Sequence, residues 1–299
     1  MKMMNRLELR HIVCPIDFSG QFRSSLAYAS AVARVHDAEL RALHVVPSEG
    51  AAVPTGVGFL GRETLMQRLR DSLTEADPSH ELIGAAVRQG DPGTQILRFA
   101  RTMRADVIVM GAPGADRPER PIGPVASVVV ARSECPVLTV PAHPTARTNE
   151  AGLFSRIVCA VDLAPSSAGV IRQALSLAWE TGGRLTYVCV VPEDSSTASS
   201  ETRDNLVAAI PSEANQWCDT DIIVTNGAPS IEIVRLAEEE KADLVVIGAP
   251  RRWTSTTHAV LSQSLCPVLV THDARPLPWP TVWPSHDSTA GAGMNRSRA

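Results

Sequence analysis

The chain has 299 residues, a net charge of −4, 44% hydrophobic and 20% charged residues. That length suggests two compact domains at roughly 100–200 residues each, with enough apolar residues to build real cores. The mild negative charge provides no broad basic field for nucleic acid. Met1 to Arg10 lacks an apolar run of signal-peptide length, and no stretch approaches the ~18 apolar residues of a membrane span. The expectation is a cytoplasmic protein without nucleic-acid or membrane partners.

Short apolar strands alternate with amphipathic helices from the start. Ile12 to Ile16 reads as a strand, and Ser19 as the N-cap of a helix over Gln21 to Val35. Leu40 to Val46 is a second strand, followed by a variable connection and a helix over Arg62 to Ala76. Ala85 to Arg88 is a third strand, and Gly90-Asp91-Pro92-Gly93 turns the chain into a helix over Thr94 to Met103. Ala105 to Met110 is apolar except for Asp106, as a strand covered on both faces should be. Val125 to Arg132 is helical, and Pro136 to Val140 is a fifth strand. Strands alternating with helices imply parallel pairing through right-handed crossovers, hence an open doubly wound sheet.

The pattern then repeats. His11 to Pro47 aligns without a gap to Arg156 to Pro192, with ten identities, including Ile-Val-Cys-x-x-Asp and Val-Val-Pro. Gln89 to Pro113 aligns with Asn226 to Pro250, with eleven identities in twenty-five, including Ala-Asp and Gly-Ala-Pro. Cys135-Pro136-Val137-Leu138 matches Cys266-Pro267-Val268-Leu269. Three collinear matches mark a duplicated domain. The expected division is 8–141, a linker at 142–153, 154–271, and a disordered Pro-rich tail at 272–299, whose Trp279 and Trp283 are candidates for docking on a partner. The six cysteines show no C-x-x-C or Cys/His ligand spacing and read as buried, reduced thiols. Cys218, in a polar stretch, is the candidate for redox sensing.

A doubly wound sheet binds ligands at the carboxyl ends of its strands, where strand order reverses. Asp17, Val45 and the run Gly111 to Gly114 converge there in the first repeat, with Gly123 opening the next helix. Glycines let backbone N–H groups approach a phosphate, and a helix N-terminus adds favourable field. The same residues also suit plain turns and a helix cap.

Ile12-Val13-Cys14-Pro15-Ile16-Asp17-Phe18-Ser19, the strand Val107 to Gly111 and the strand Cys135 to Val140 resemble the universal stress protein family, and the resemblance spans both repeats. It implies a Rossmann-like, adenine nucleotide alpha hydrolase-like fold: two tandem open doubly wound five-stranded parallel sheets, α/β in class. It also implies pairing as a pseudo-dimer along Val137 to Val140 and Val268 to Thr271, with a homodimer as a further possibility. In nucleotide-binding members the Asp contacts adenosine, and Gly-x-x-Gly, nine residues, then Gly and Ser or Thr wrap the phosphates. The positions carried over are Asp17, Val45, Gly111, Gly114 and Gly123, and the implied ligand is ATP with magnesium.

This chain departs from that pattern. Eight residues separate Gly114 from Gly123, and Pro124 replaces the hydroxyl residue. Proline removes both a hydroxyl and a backbone donor. At about 1.5–3 kcal/mol per charge-assisted bond, losing two weakens phosphate binding by roughly a hundredfold to ten-thousandfold. Arg117 and Arg120 could add charge, while Pro118 and Pro121 stiffen the loop. In the second repeat only Gly248 remains of the three glycines, and the loop is six residues shorter; Asp162 reads there as a fold element.

No catalytic motif is present, and His44 reads as a core or surface residue rather than a base. The expected function is a non-catalytic stress-response and regulatory protein with a degraded adenine-nucleotide site in its first repeat. A nucleotide-free scaffold for a protein partner stays open. A slow nucleotide hydrolase lacks the Lys, Ser/Thr–metal pair or general base it needs near the loop.

Overall fold

The computed structural model describes residues 9–18, 22–48, 61–76, 83–112, 122–144, 154–164, 167–192, 198–212, 214–249 and 255–272. The first repeat runs β1 (His11–Pro15), α1 (Phe22–His36), β2 (Glu39–Val46), α2 (Arg62–Ala76), β3 (Ile83–Gln89), α3 (Pro92–Thr102), β4 (Val107–Gly111), α4 (Pro124–Arg132) and β5 (Val137–Val140). The second runs β6 (Arg156–Ala160), α5 (Ser167–Thr181), β7 (Arg184–Val191), α6 (Ala198–Ala209), α7 (Ala214–Trp217), β8 (Asp219–Asn226), α8 (Pro229–Glu239), β9 (Leu244–Gly248), α9 (Ser255–Gln263) and β10 (Val268–Thr271). The expected helix over Arg62 to Ala76 matches to the residue; other ends of the first repeat move by at most two. Both α3 and α4 begin on a proline, earlier than the sequence suggested, because the first helical N–H needs no partner. Ser19 and the tail from 273 lie outside the described residues.

The ten strands among the described residues form one sheet, in the order β3-β2-β1-β4-β5-β10-β9-β6-β7-β8. Every pairing is parallel except β5 with β10, where Leu138 faces Leu269 and Val137 faces Val270. Two five-stranded parallel halves therefore meet at an antiparallel seam. Strand order reverses between β1 and β4 in one half and between β6 and β9 in the other. Because the halves run in opposite senses, their crevices open at opposite ends of the sheet.

Strand residues alternate between two core layers, each built from both repeats. Ile12 and Cys14 join Leu26 and Ala29 of α1, Leu65 and Leu69 of α2, and Ile171 and Leu175 of α5. Val13 and Ile108 join Ile96 and Phe99 of α3, Val129 of α4, Ile233 of α8 and Val260 of α9. Burying each such side chain contributes about 1.5–3 kcal/mol before the entropy cost. Polar contacts also cross the seam. Thr139 Oγ1 donates to the Val268 carbonyl at 3.1 Å, and His36 lies 3.6 Å from Glu180. Tyr28 stacks on Phe154 at 6.5 Å.

The shared motifs find structural roles. In Ala-Asp, Asp106 Oδ2 accepts from the N–H of Arg10 at 2.7 Å and of His11 at 2.9 Å. Asp243 accepts from Ser155 N, Ser155 Oγ and Arg156 N at 2.8–3.0 Å. Each aspartate thus ties the strand it precedes to the entrance of the repeat's first strand. All six thiols are buried and unbonded to one another. Cys218, the redox candidate, is a correction: it is 7% exposed, and burial pushes its thiol up to about 12. Its Sγ lies 3.9 Å from the Ala214 carbonyl, under α7, a cover its polar sequence neighbours hid.

Candidate functional site

Three of the five candidate residues stand at strand ends beside the first switch point. The β1–β2 register, ending Pro15↔Leu43, continues to put Asp17 level with Val45. The β1–β4 register continues to put Asp17 level with Ala112, one residue beyond Gly111. Neighbouring strands lie about 4.8 Å apart, so these positions share one rim. Asp17 is exposed, Val45 buried and Gly111 half-buried. Gly114, with Arg117, Arg120, Pro118 and Pro121, lies outside the described residues.

An aromatic and cationic cluster, not foreseen from the sequence, supports the Asp17 rim. Phe18 adopts φ 58, a left-handed conformation costly for a bulky residue. Its ring is held by His44 at 4.7 Å, Phe22 at 5.9 Å and the Arg68 guanidinium at 4.3 Å. His44 is buried, and its Nδ1 donates to the Ile16 carbonyl at 2.7 Å, which fixes the tautomer. Burial holds its pKa below the usual histidine value, so the ring stays neutral and tethers β2 to the residue before Asp17. The sequence offered one signal for this, the aromatic beside Asp17; Arg68, fifty residues on, had none.

At the other side of the rim, Gly123 is the N-cap of α4 with φ −60 and ψ 153, and no side chain caps the helix there. A Cβ at Gly123 would meet no described atom within 4 Å, so neither backbone conformation nor described packing demands glycine. Pro124 stands exposed at the first helical position. The first intrahelical bond is Ser127 N to the Gly123 carbonyl at 2.9 Å, so the N–H groups of Val125 and Ala126 project from the helix end.

The second switch point is built differently. Its register continues to put Asp162 level with Val190 and with Ala249, beside Gly248. Asp162 Oδ1 accepts from Ala164 N at 3.0 Å and from Ser167 Oγ at 2.5 Å, so this carboxylate caps the turn into α5. The equivalent of Ser167 in the first repeat is Phe22, which has no hydroxyl. Leu163 repeats the left-handed turn at φ 58. Gly248 has a packing cause: a Cβ there would lie 3.0 Å from Val170 Cγ2 of α5. His44 is replaced by Cys189, a buried thiol pushed up by desolvation and by Asp162.

The universal stress protein family model matches residues 8–141 and again 153–272. The chain belongs to the universal stress protein family. Universal stress protein MJ0531 of Methanocaldococcus jannaschii is 33% identical over 138 residues, covering 44% of this chain and 81% of that protein. A universal stress protein of Archaeoglobus fulgidus DSM 4304 superposes with a TM-score of 0.63 at 20% identity, covering 89% of this chain and 96% of its own. A functionally unknown protein of Pseudomonas aeruginosa PAO1 superposes with a TM-score of 0.63 at 20% identity, covering 88% of this chain and 92% of its own. The tandem arrangement is thus a universal stress protein fold used twice. No helix among the described residues is long and apolar enough to cross a membrane.

Proposed function

We propose that this tandem universal stress protein is a non-catalytic stress-response protein whose first repeat takes an adenine nucleotide weakly, between Asp17, Val45, Gly111, Gly114 and Gly123. The observation that carries this reading is the contrast between the two rims. In the second, Asp162 is engaged by its own helix start and Gly248 sits close against Val170. In the first, Gly123 serves no described packing contact, and Asp17, Val45 and Gly111 stand at neighbouring strand ends. A carboxylate acceptor suits adenosine hydroxyl or amino groups, and the Val125 and Ala126 donors suit phosphate oxygens. Magnesium would arrive on the phosphates, its usual mode of binding beside nucleotides.

Pro124 favours a second reading, a nucleotide-free scaffold, because it removes two of the donors that phosphates would use. Calorimetric titration with ATP and magnesium separates the two. Saturable heat that disappears in Asp17→Ala supports nucleotide binding; no heat up to millimolar ATP assigns the chain to the scaffold class.

A further inference from the structure

Helix α4 lacks the means to finish its own ends. Its N-cap is Gly123, without a side chain to accept, and its first residue is Pro124, without an N–H. At the other end the Ser133 hydroxyl turns away to the Cys135 carbonyl at 2.6 Å. The carbonyls of the last turn beyond Val129, whose oxygen takes Ser133 N, have no intrahelical donor.

The second repeat supplies both ends. Ser262 Oγ of α9 accepts from Ile122 N, immediately before the N-cap, at 3.3 Å, with both residues about 95% buried (4% and 5% exposed). His272, directly after β10, donates from Nε2 to the Val130 carbonyl at 2.8 Å. His272 was assigned to the tail from sequence, but it is part of the packed body.

The support runs one way. The residues equivalent to Ser262 and His272 in the first repeat are Ala131 and Pro141, which have neither hydroxyl nor ring nitrogen. A two-fold interface between identical copies makes each contact twice or not at all. Through these two positions the contacts run in one direction only, and α9 begins with its own hydroxyl-rich turn, Ser255-Thr256-Thr257.

We propose that the second repeat anchors both ends of α4, with Ser262 positioning the N-terminal end that faces the first repeat's crevice and His272 positioning the opposite end. Its meaning for ligand affinity rests on the nucleotide reading; its structural content does not. Amide hydrogen exchange on the full chain tests it, using Ser262→Ala and His272→Phe beside the conservative Ser262→Thr and His272→Gln. Losing one buried hydrogen bond should speed exchange roughly two- to tenfold, at 122–127 for Ser262→Ala and at 130–134 for His272→Phe, with α9 unchanged. The conservative variants should restore protection, and ATP affinity should fall by a similar factor in Ser262→Ala alone. Equal acceleration in α9, or unchanged exchange in α4, overturns the proposal. If wild-type protein binds no ATP, the nucleotide reading fails while the exchange result still decides this one.

Discussion

Pro124 is where a single side chain governs how much phosphate affinity the first crevice can have. Replacing it by serine returns a hydroxyl and a backbone donor to the exposed end of α4, where the helix field already favours an anion. Pro124→Ser should tighten ATP binding at least tenfold in the same titration, at roughly 1.5–3 kcal/mol per bond regained. A variant no tighter than wild type would mean that the phosphates do not reach this helix. The two Ala-Asp carboxylates give a second residue-scale test. Asp243 accepts three hydrogen bonds and Asp106 two, all near the surface. Asp243→Ala should therefore destabilise the fold to urea more than Asp106→Ala, each costing about 1–3 kcal/mol of unfolding free energy. From the sequence Asp106 was only an interruption in an apolar run; its recurrence at Asp243 was the legible part. Its partners, some ninety residues away, were not.

At the scale of elements, the strands carry their thiols into dry core, and this gives the fold an alkaline limit. Burial pushes Cys14 and Cys218 up to about 12 and Cys266 up to about 11, from an ordinary value near 9. A raised thiol pKa stabilises the fold fully below the unfolded value, and that contribution is lost as pH rises from 9 toward 12. The urea midpoint should fall between pH 8 and pH 10.5, and Cys14→Ala should flatten that fall; an unchanged slope would mean that the thiols ionise while folded. Cys14 and Cys159 were readable as core because each sits in an apolar strand. Cys218 was not, because its cover comes from α7. Element order was legible in the first repeat, since short apolar runs and helical patterns alternate there, whereas the short α7 of the second repeat was not foreseen. Helix starts were less so, because Pro92 and Pro124 look like breaks until they stand at a first helical position. The Asp17–Val45–Gly111 rim followed from strand ends alone, whereas the Arg68–Phe18–His44 stack depends on where α2 lies over β1 and β2.

Over the whole molecule, the shared core layers should make the repeats unfold together. The chain's five tryptophans all lie beyond the first repeat, and Trp179 and Trp217 pack 5.7 Å apart in the second. Tryptophan emission therefore reports the second repeat without a signal from the first. Leu138→Asp, placed in the first repeat opposite Leu269, should lower the midpoint read by that emission by several kcal/mol equivalent. An unchanged tryptophan midpoint would mean that the halves unfold independently. The antiparallel seam also changes what substitution can do. In a pair of identical chains every change appears in both partners, so a residue lost for one role is lost for all. Here the partners are written separately in one gene product, and a change such as Pro141 beside His272 touches one half only. Covalent tandem linkage thus permits a division of labour that a symmetric pair forbids: one half can give up a pocket and keep the geometry that holds the other in place.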